Sequence, residues 1–375
     1  MNFIASSPQG LEDQLAQEII NLGGENIIVK KRYVSFQSNY ETLYKLHFYS
    51  RIAFRFYREV ARFPCLDRES LYHGVQSSFD WLKWITPSNK FCVQVSGGNA
   101  LLNHSHFNAL QVKNSIVDLQ QSTLGKRSSI SIHDPYLIIH LHINSKEAIL
   151  SLQSTYESLH KRGYRPCLGN APLKENLAAG LIQITKWDGR TPLIDIMCGS
   201  GTFLIEAAAQ FLRQPLPIKG KYLFENWNDF DLDLFKKVKS NINKDSFKEL
   251  KSSKIIGCEI SSNVFRQAKE NIKLANLSDL IEIHNIDFSK FNVNNQRGTI
   301  VCNPPYGKKL GKDRKELIEL YEKIGNSLKD KFSGWEFWLL SGNPELTRYL
   351  RMKSSLKIPI SNGGIDCRWI KYEIR

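Results

Sequence analysis

No stretch of this chain approaches the roughly 18–20 consecutive apolar residues that span a bilayer, and the first thirty residues have no basic start leading into an apolar segment. A membrane-spanning or secreted protein is therefore not expected. Material for disulfide or zinc chemistry is equally short. The seven cysteines, Cys65, Cys92, Cys167, Cys198, Cys258, Cys302 and Cys367, are scattered, odd in number and never spaced Cys-x-x-Cys, which fits a reducing, cytoplasmic setting. Acid is in deficit, with 37 Asp+Glu against 51 Lys+Arg and a formal net charge of +14. The excess is shared, +5 through Asn170 and +9 after it, so both parts can face a polyanion. Nucleic acid is the leading partner class, with an anionic membrane surface second. There is no internal repeat and no low-complexity segment.

At roughly 100–200 residues per domain, 375 residues with 42% hydrophobic content make two or three domains. The first reads as a small α/β unit. Phe3–Ala5 is apolar, Leu11, Leu15, Ile19 and Ile20 follow at helical spacing, Val29–Phe36 reads as one strand, and Leu43, Leu46 and Phe54 mark a second helix within 40–60. Strand, helix and strand follow over Phe91–Val95, Phe107–Leu119 and Ile130–Ile143. Gly, Pro and charge then cluster from Arg162 to Pro172, where the main boundary is placed. Beyond it, short apolar runs at Leu193–Met197, Ile255–Glu259, Ile281–Ile283, Thr299–Cys302 and Phe337–Leu340 alternate with helical stretches, as in a parallel sheet covered by helices on both faces. Ile358–Ser361 and Ile365–Ile374, joined through Asn362-Gly363-Gly364, predict an antiparallel hairpin closing that sheet.

The chemistry sits in this second part. Asp195-Ile-Met-Cys198-Gly199-Ser-Gly201-Thr202-Phe203 ends a strand and opens a helix over Leu204–Phe211. Glycines there let the backbone turn sharply and approach a ligand. A dinucleotide fingerprint wants Gly or Ala where this chain has Leu204, which disfavours a pyrophosphate cofactor. The next strand ends in Glu259, a carboxylate suited to both hydroxyls of a ribose, and the third is followed by Asp287-Phe288, an acceptor for an adenine amino group beside an aromatic ring. Glu259 lies 58 residues beyond Gly201 rather than the ~20 of a minimal unit, so 210–254 is read as an insertion carrying extra helix. Its lysines, Lys236 to Lys254, read equally as a solvated helix face.

The sharpest signal is Asn303-Pro304-Pro305-Tyr306-Gly307, directly after the run Thr299–Cys302. An exocyclic amine on a base is a poor nucleophile, because its lone pair is delocalised into the ring. The Asn303 side-chain oxygen and the Pro304 carbonyl can accept its two N–H bonds, Pro304 and Pro305 fix the loop, and Tyr306 offers a face to a flipped base.

These motifs resemble the first and fourth motifs of class I S-adenosylmethionine-dependent amino-methyltransferases. Lys174-Glu175-Asn176-Leu177-Ala178-Ala179 is similar to the segment that lies over the cofactor in that group. Leu71-Tyr72, Asp80-Trp81, Leu159-His160-Lys161-Arg162-Gly163-Tyr164-Arg165 and Phe224-x-x-Trp227-x-x-Phe230-Asp231 narrow the resemblance to the THUMP-domain RNA methyltransferases that make N2-methylguanosine in large-subunit (23S) ribosomal RNA. The resemblance implies a ferredoxin-like domain over 1–60, an RNA-binding THUMP domain over 61–160, a linker over 161–173 and a Rossmann-like methyltransferase domain over 174–375. It implies S-adenosylmethionine as cofactor, with Asp195, Gly199 and Gly201 around its methionine part, Glu259 on its ribose and Asp287 near its adenine. Asn303 to Tyr306 are implied at the target amine.

Other residues carry less. His104 and His106, and His140 and His142, alternate at strand spacing without Cys or carboxylate partners, so no metal is expected. Cys198 reads as a small residue packing under the cofactor rather than as a nucleophile. Lys161, Arg162 and Arg165 read either as contacts to RNA phosphate or as a solvated linker. The expected partner is RNA, foremost large-subunit rRNA or its assembly intermediate. A tRNA guanosine-N2 methyltransferase, a DNA adenine-N6 methyltransferase and a non-catalytic RNA-binding or ribosome-assembly factor share parts of this pattern.

Overall fold

A computed structural model describes residues 1–165, 173–217, 222–245, 254–293, 297–307 and 313–375. Of the break expected from Arg162 to Pro172, residues 166–172 with Cys167 among them lie outside the described residues, as do Lys248 and Lys251 of the insertion.

In chain order the front part is β1 (Asn2–Ser6), α1 (Glu12–Asn21), β2 (Glu25–Lys30), β3 (Tyr33–Gln37), α2 (Tyr40–Tyr49), β4 (Arg55–Pro64), α3 (Arg68–Ser78), α4 (Trp81–Trp84), β5 (Phe91–Gly97), α5 (Ser105–Leu124), β6 (Leu137–Ile143) and β7 (Glu147–Gln153). Two expectations need correction. The single strand Val29–Phe36 is a hairpin, because Arg32 takes a left-handed φ of 71° in a turn of two charged residues between Lys30 and Tyr33. The second helix, capped by Asn39 on Thr42 N, stops at Tyr49, and Phe54 precedes a strand whose residues alternate between core and surface. All seven strands form one sheet in the order β2-β3-β1-β4-β7-β6-β5. Strand β4 pairs with both β1 and β7, its ladder with β7 shifting register at Val60, so the two front units share one sheet.

The second part runs α6 (Glu175–Thr185), β8 (Leu193–Asp195), α7 (Thr202–Phe211), α8 (Leu232–Asp245), β9 (Ile255–Cys258), α9 (Ser262–Leu274), β10 (Ile281–His284), β11 (Thr299–Cys302), α10 (Arg314–Lys331), β12 (Glu336–Ser341), β13 (Ser354–Asn362) and β14 (Ile365–Glu373). Its sheet has the order β10-β9-β8-β11-β12-β14-β13, parallel through β12 and closed by the antiparallel hairpin. Strands β8, β9 and β11 are buried along their whole length, as central parallel strands covered on both faces must be. Each buried isoleucine there, Ile194, Ile255, Ile256 and Ile300, contributes roughly 1.5–3 kcal/mol. This is the Rossmann-like sheet and hairpin that the sequence predicts, behind an α/β front module.

The insertion fastens the two parts together. Phe224 and Phe230 pack with Tyr44 of α2, and Arg58 of β4 lies over Tyr40, Trp84 and Trp227 at 5.6, 5.2 and 5.6 Å while donating to Asp229. Phe235, Val238 and Ile242 bury one side of α8, and Lys236, Lys237 and Lys239 stay exposed on the other.

Candidate active site

Register alone brings the expected site residues to one edge. Asp195 at the end of β8 pairs with Gly257 of β9 and with Val301 of β11. Glu259 and Asn303 each lie two residues beyond those partners, so three chain reversals meet at the carboxyl ends of adjacent strands. Between β8 and β11 the order of the strands reverses, the place where open α/β sheets hold ligands.

The glycine turn leaves β8 at Cys198, whose N–H donates to Cys258 O at 2.9 Å. Gly199 and Gly201 follow with φ of 53° and 81°, and a Cβ on Gly199 would project into open space. Glu259 closes the turn from the next strand: Gly199 N donates to its Oε2 at 3.1 Å and Ser261 N to its Oε1 at 2.8 Å. Asp195 is 2% exposed and accepts from Met197 N at 3.1 Å. Burial foremost, with the Glu259 charge adding to it, pushes its carboxyl up to about 8. Two carboxylates gathered at the mouth of the turn and little offset by cations suit a positively charged, hydroxyl-bearing ligand. Beside them Ile260, an apolar side chain left 68% exposed, was not singled out from the sequence.

Several expected residues are placed differently in detail. Cys198 is buried under the turn, its Sγ 3.0 Å from where a Cβ on Gly257 would stand, so strand β9 needs glycine there, and burial pushes its thiol well above the ordinary range. Phe203 is a core residue against Trp369, ring centroids 5.7 Å apart, and the Thr202 hydroxyl is taken by Arg165, so their side chains do not line the open turn. Asp287 accepts from Ser289 N at 2.9 Å and pairs with Lys323 of α10. Burial raises its carboxyl, yet these bonds hold it below its ordinary value. Phe288 is buried beside it with Lys323 Nζ 5.6 Å from the ring. Lys174 occupies the N-cap of α6, exposed, with Nζ 5.1 Å from the Phe54 ring.

The Asn-Pro-Pro-Tyr loop leaves β11 with one unfilled demand. Asn303 Oδ1 is buried and has no hydrogen-bond partner among the described residues. A buried acceptor without a donor costs about 1–3 kcal/mol, a cost that a ligand amine can remove. Tyr306 is half-buried, and its hydroxyl accepts from Asn362 Nδ2 at 2.9 Å and from Cys367 Sγ at 3.6 Å. The hairpin turn β13–β14 thus tethers the loop, a role for Asn362 that nothing in the sequence marked.

The expectation for Arg162 and Arg165 as RNA contacts is corrected. Arg162 is buried, donating to Arg51 O at 2.5 Å and lying 3.7 Å from Glu206, while Arg165 is spent on Glu175 and Thr202. Of the three only Lys161 is exposed, paired with Glu157 at 2.6 Å. Among the described residues no group of three or more His, Cys, Asp or Glu is arranged to hold a metal, and no helix is long and apolar enough to cross a membrane.

Comparison with known proteins matches three domain families in chain order: an RlmL ferredoxin-like domain over residues 2–57, a THUMP domain over 67–153 and an RMKL-like methyltransferase domain over 162–371. A protein of Synechocystis sp. named "Putative RNA methyltransferase slr0064" is 36% identical over 99% of this chain and 96% of its own length. The ribosomal RNA large subunit methyltransferase K/L of Vibrio parahaemolyticus is 35% identical over 99% of this chain. The chain spans about half of that relative, 53% of its length. The crystal structure of SMU.472 complexed with SAH superposes with a TM-score of 0.88 at 25% identity, covering 100% of this chain and 98% of that one. With the glycine turn, the strand-end carboxylates and the Asn-Pro-Pro-Tyr loop all inside the matched methyltransferase segment, the chain belongs to the RMKL-like methyltransferases that carry ferredoxin-like and THUMP modules in front.

Proposed function

We propose that this protein methylates the exocyclic N2 of a guanosine in large-subunit ribosomal RNA. The cofactor is S-adenosylmethionine: the family is a methyltransferase family, and a neighbour of the same fold is complexed with SAH. Bound, it supplies a methyl group made electrophilic by its sulfonium. The residues at the three strand ends fit such a ligand. Gly199 and Gly201 leave room for its methionine part, Glu259 accepts from its ribose, Asp195 gives up its proton on binding and then sets a negative charge near its positive centre, and Asp287 and Phe288 border its adenine. Lys174 stands at the end of the helix that covers it.

The observation that carries the reading is the buried Oδ1 of Asn303, unpartnered among the described residues. It accepts one N–H of the target amine and the Pro304 carbonyl accepts the other, which withdraws the nitrogen lone pair from the ring and turns it toward the methyl. Pro305 holds the loop and Tyr306 backs the base. The protein's share of catalysis is thus position and orientation, worth up to about 7–11 kcal/mol when the reacting atoms are well aligned. RNA as the substrate class is supported by the matched THUMP domain and by the net charge of +14. The large subunit as its source is supported by the names of the K/L relatives.

The test is direct. Labelled S-adenosylmethionine is incubated with the protein and, separately, with unmodified large-subunit rRNA, tRNA and DNA, and the digested nucleosides are identified. Labelled N2-methylguanosine from rRNA is expected. Label confined to tRNA or to DNA adenine overturns the substrate, and Asn303→Ala turning over at the wild-type rate overturns the role of the carboxamide.

A further inference from the structure

The front sheet has one helix-covered face and a second that is only partly covered, where β7 still buries Ile149, Ser151 and Gln153. In β6, Leu137, Ile139, Leu141 and Ile143 fill the covered side, while His140 emerges on the other, half-buried. Strand β4 does the same: Phe56 is buried, and Arg55 and Tyr57 come out beside His140. The Tyr57 and His140 rings lie 4.8 Å apart. Where the strand begins, the Phe54 and His160 rings meet edge to face at 5.5 Å, with Lys174 Nζ 5.1 Å from the Phe54 centroid. The Leu223 turn covers only the far end of this face, against Cys92 and Ile138.

The strip is also electropositive. His160 is pushed down to about 4, by burial first and then by the charges of Lys174, Arg162, Lys161 and Arg55. Arg162 is spent on Glu206 and Lys161 on Glu157. Among the described residues Arg55 and Lys174 form no ion pair with a carboxylate; the Arg55 guanidinium bonds the Tyr57 side chain, and its Nε is buried without a hydrogen-bond partner. One end of the strip adjoins the cofactor turn, because Lys174 precedes Glu175, which shares Arg165 with Thr202. Cations without a carboxylate partner, set beside aromatic rings, suit an unpaired nucleic-acid strand, whose bases stack while its phosphates meet the charges. An acidic peptide would use the cations and leave the rings uncovered, and a duplex keeps its bases inside.

We propose that the strip Tyr57, His140, Arg55, Phe54, His160 and Lys174 is the track along which an unpaired segment of the RNA substrate runs toward Asn303. This rests on the RNA methyltransferase reading above. The test uses the full chain and a short unstructured RNA oligonucleotide, with a fully paired hairpin as competitor and rRNA methylation by the wild type as reference. Arg55→Gln is expected to weaken oligonucleotide binding about fivefold and to lower the salt slope by about 0.7, one phosphate contact. His140→Ala is expected to weaken it about tenfold with the salt slope unchanged. Cofactor affinity by calorimetry stays at the wild-type value in both, which shows that the variants are folded. Wild-type oligonucleotide affinity in both variants, or a hairpin competing as well as the unpaired strand, overturns the track. If the wild type methylates rRNA yet does not hold the oligonucleotide, the track falls and the reading stands; if it does neither, both fall.

Discussion

Arg165 holds Glu175 with two nitrogens, Nη2 to Oε2 at 2.7 Å and Nε to Oε1 at 3.1 Å, and donates from Nη1 to Thr202 Oγ1 at 3.1 Å. One guanidinium thus ties the first residue of α6 to the first residue of α7, the helix that begins at the glycine turn. One turn further along α7 the buried Glu206 accepts from Arg51 of the front module at 3.3 Å and from Tyr164 at 3.1 Å. The turn is held from the front module and from the connecting segment together.

Replacing Arg165 by Ala leaves Glu175 buried and unpaired, which costs about 3–5 kcal/mol. A lowered melting temperature and a raised cofactor Kd are expected. Arg165→Lys restores little, because an ammonium cannot span the two-pronged contact and the hydroxyl at once. RNA binding measured against salt separates the roles: a positioning residue leaves the slope unchanged, whereas loss of a phosphate contact lowers it.

Asp195 predicts a pH dependence of defined sign. Its ordinary value is 3.8 and in the fold it is pushed up to about 8, so the native state holds a proton that the unfolded state has released. Stability without cofactor should fall as pH rises from about 4 to about 8, by at most ~1.4 kcal/mol per pH unit from this group. Asp195→Asn removes that slope. Its melting temperature should exceed the wild type's at pH 8 and approach it at pH 5, and equal pH profiles would refute the assignment. Calorimetry in buffers of different ionisation enthalpy should show proton release when the positively charged cofactor binds.

Much of this site was legible because strand ends announce themselves. Glycine after Asp195, and acid after the apolar runs of β9 and β10, need only local patterns, and the register of a parallel sheet brings them together. Side-chain choices made across the fold left no local trace. Phe203 turns into the core because Trp369 of β14 faces it, Arg165 turns inward because Glu175 awaits it ten residues on, and Asn362 reaches Tyr306 from a hairpin 56 residues away. Likewise the sheet spanning the two front units depends on β4 pairing with β7, about 90 residues downstream, which composition near residue 60 does not reveal.

Glu259 accepts from two backbone N–H groups, and a glutamine there would keep one acceptor while turning an amide N–H₂ toward a donor. Hydrogen bonds to a charged group are worth about 1.5–3 kcal/mol, so Glu259→Gln should raise the cofactor Kd by about tenfold or more. Removing its charge should also bring the Asp195 carboxyl down, shifting the stability profile of the preceding test toward lower pH. Unchanged cofactor titrations would remove Glu259 from the site.

The Tyr306 ring packs so closely on Gly342 that a Cβ there would come within 2.8 Å of Cε2, while Asn362 and Cys367 hold its hydroxyl. A ring fixed at both its edge and its tip offers the target base a surface already in place, so little ordering remains to be done on binding. Tyr306→Phe and Asn362→Ala should each lower kcat/KM for RNA by about fivefold, the worth of one net hydrogen bond. Gly342→Ala, which pushes the ring from its seat, should cost more. Cofactor affinity should not move in any of the three. A drop in melting temperature with kcat/KM intact would make the tether structural only, whereas a kinetic loss at full cofactor affinity places the hairpin turn among the parts that aim the base at Asn303.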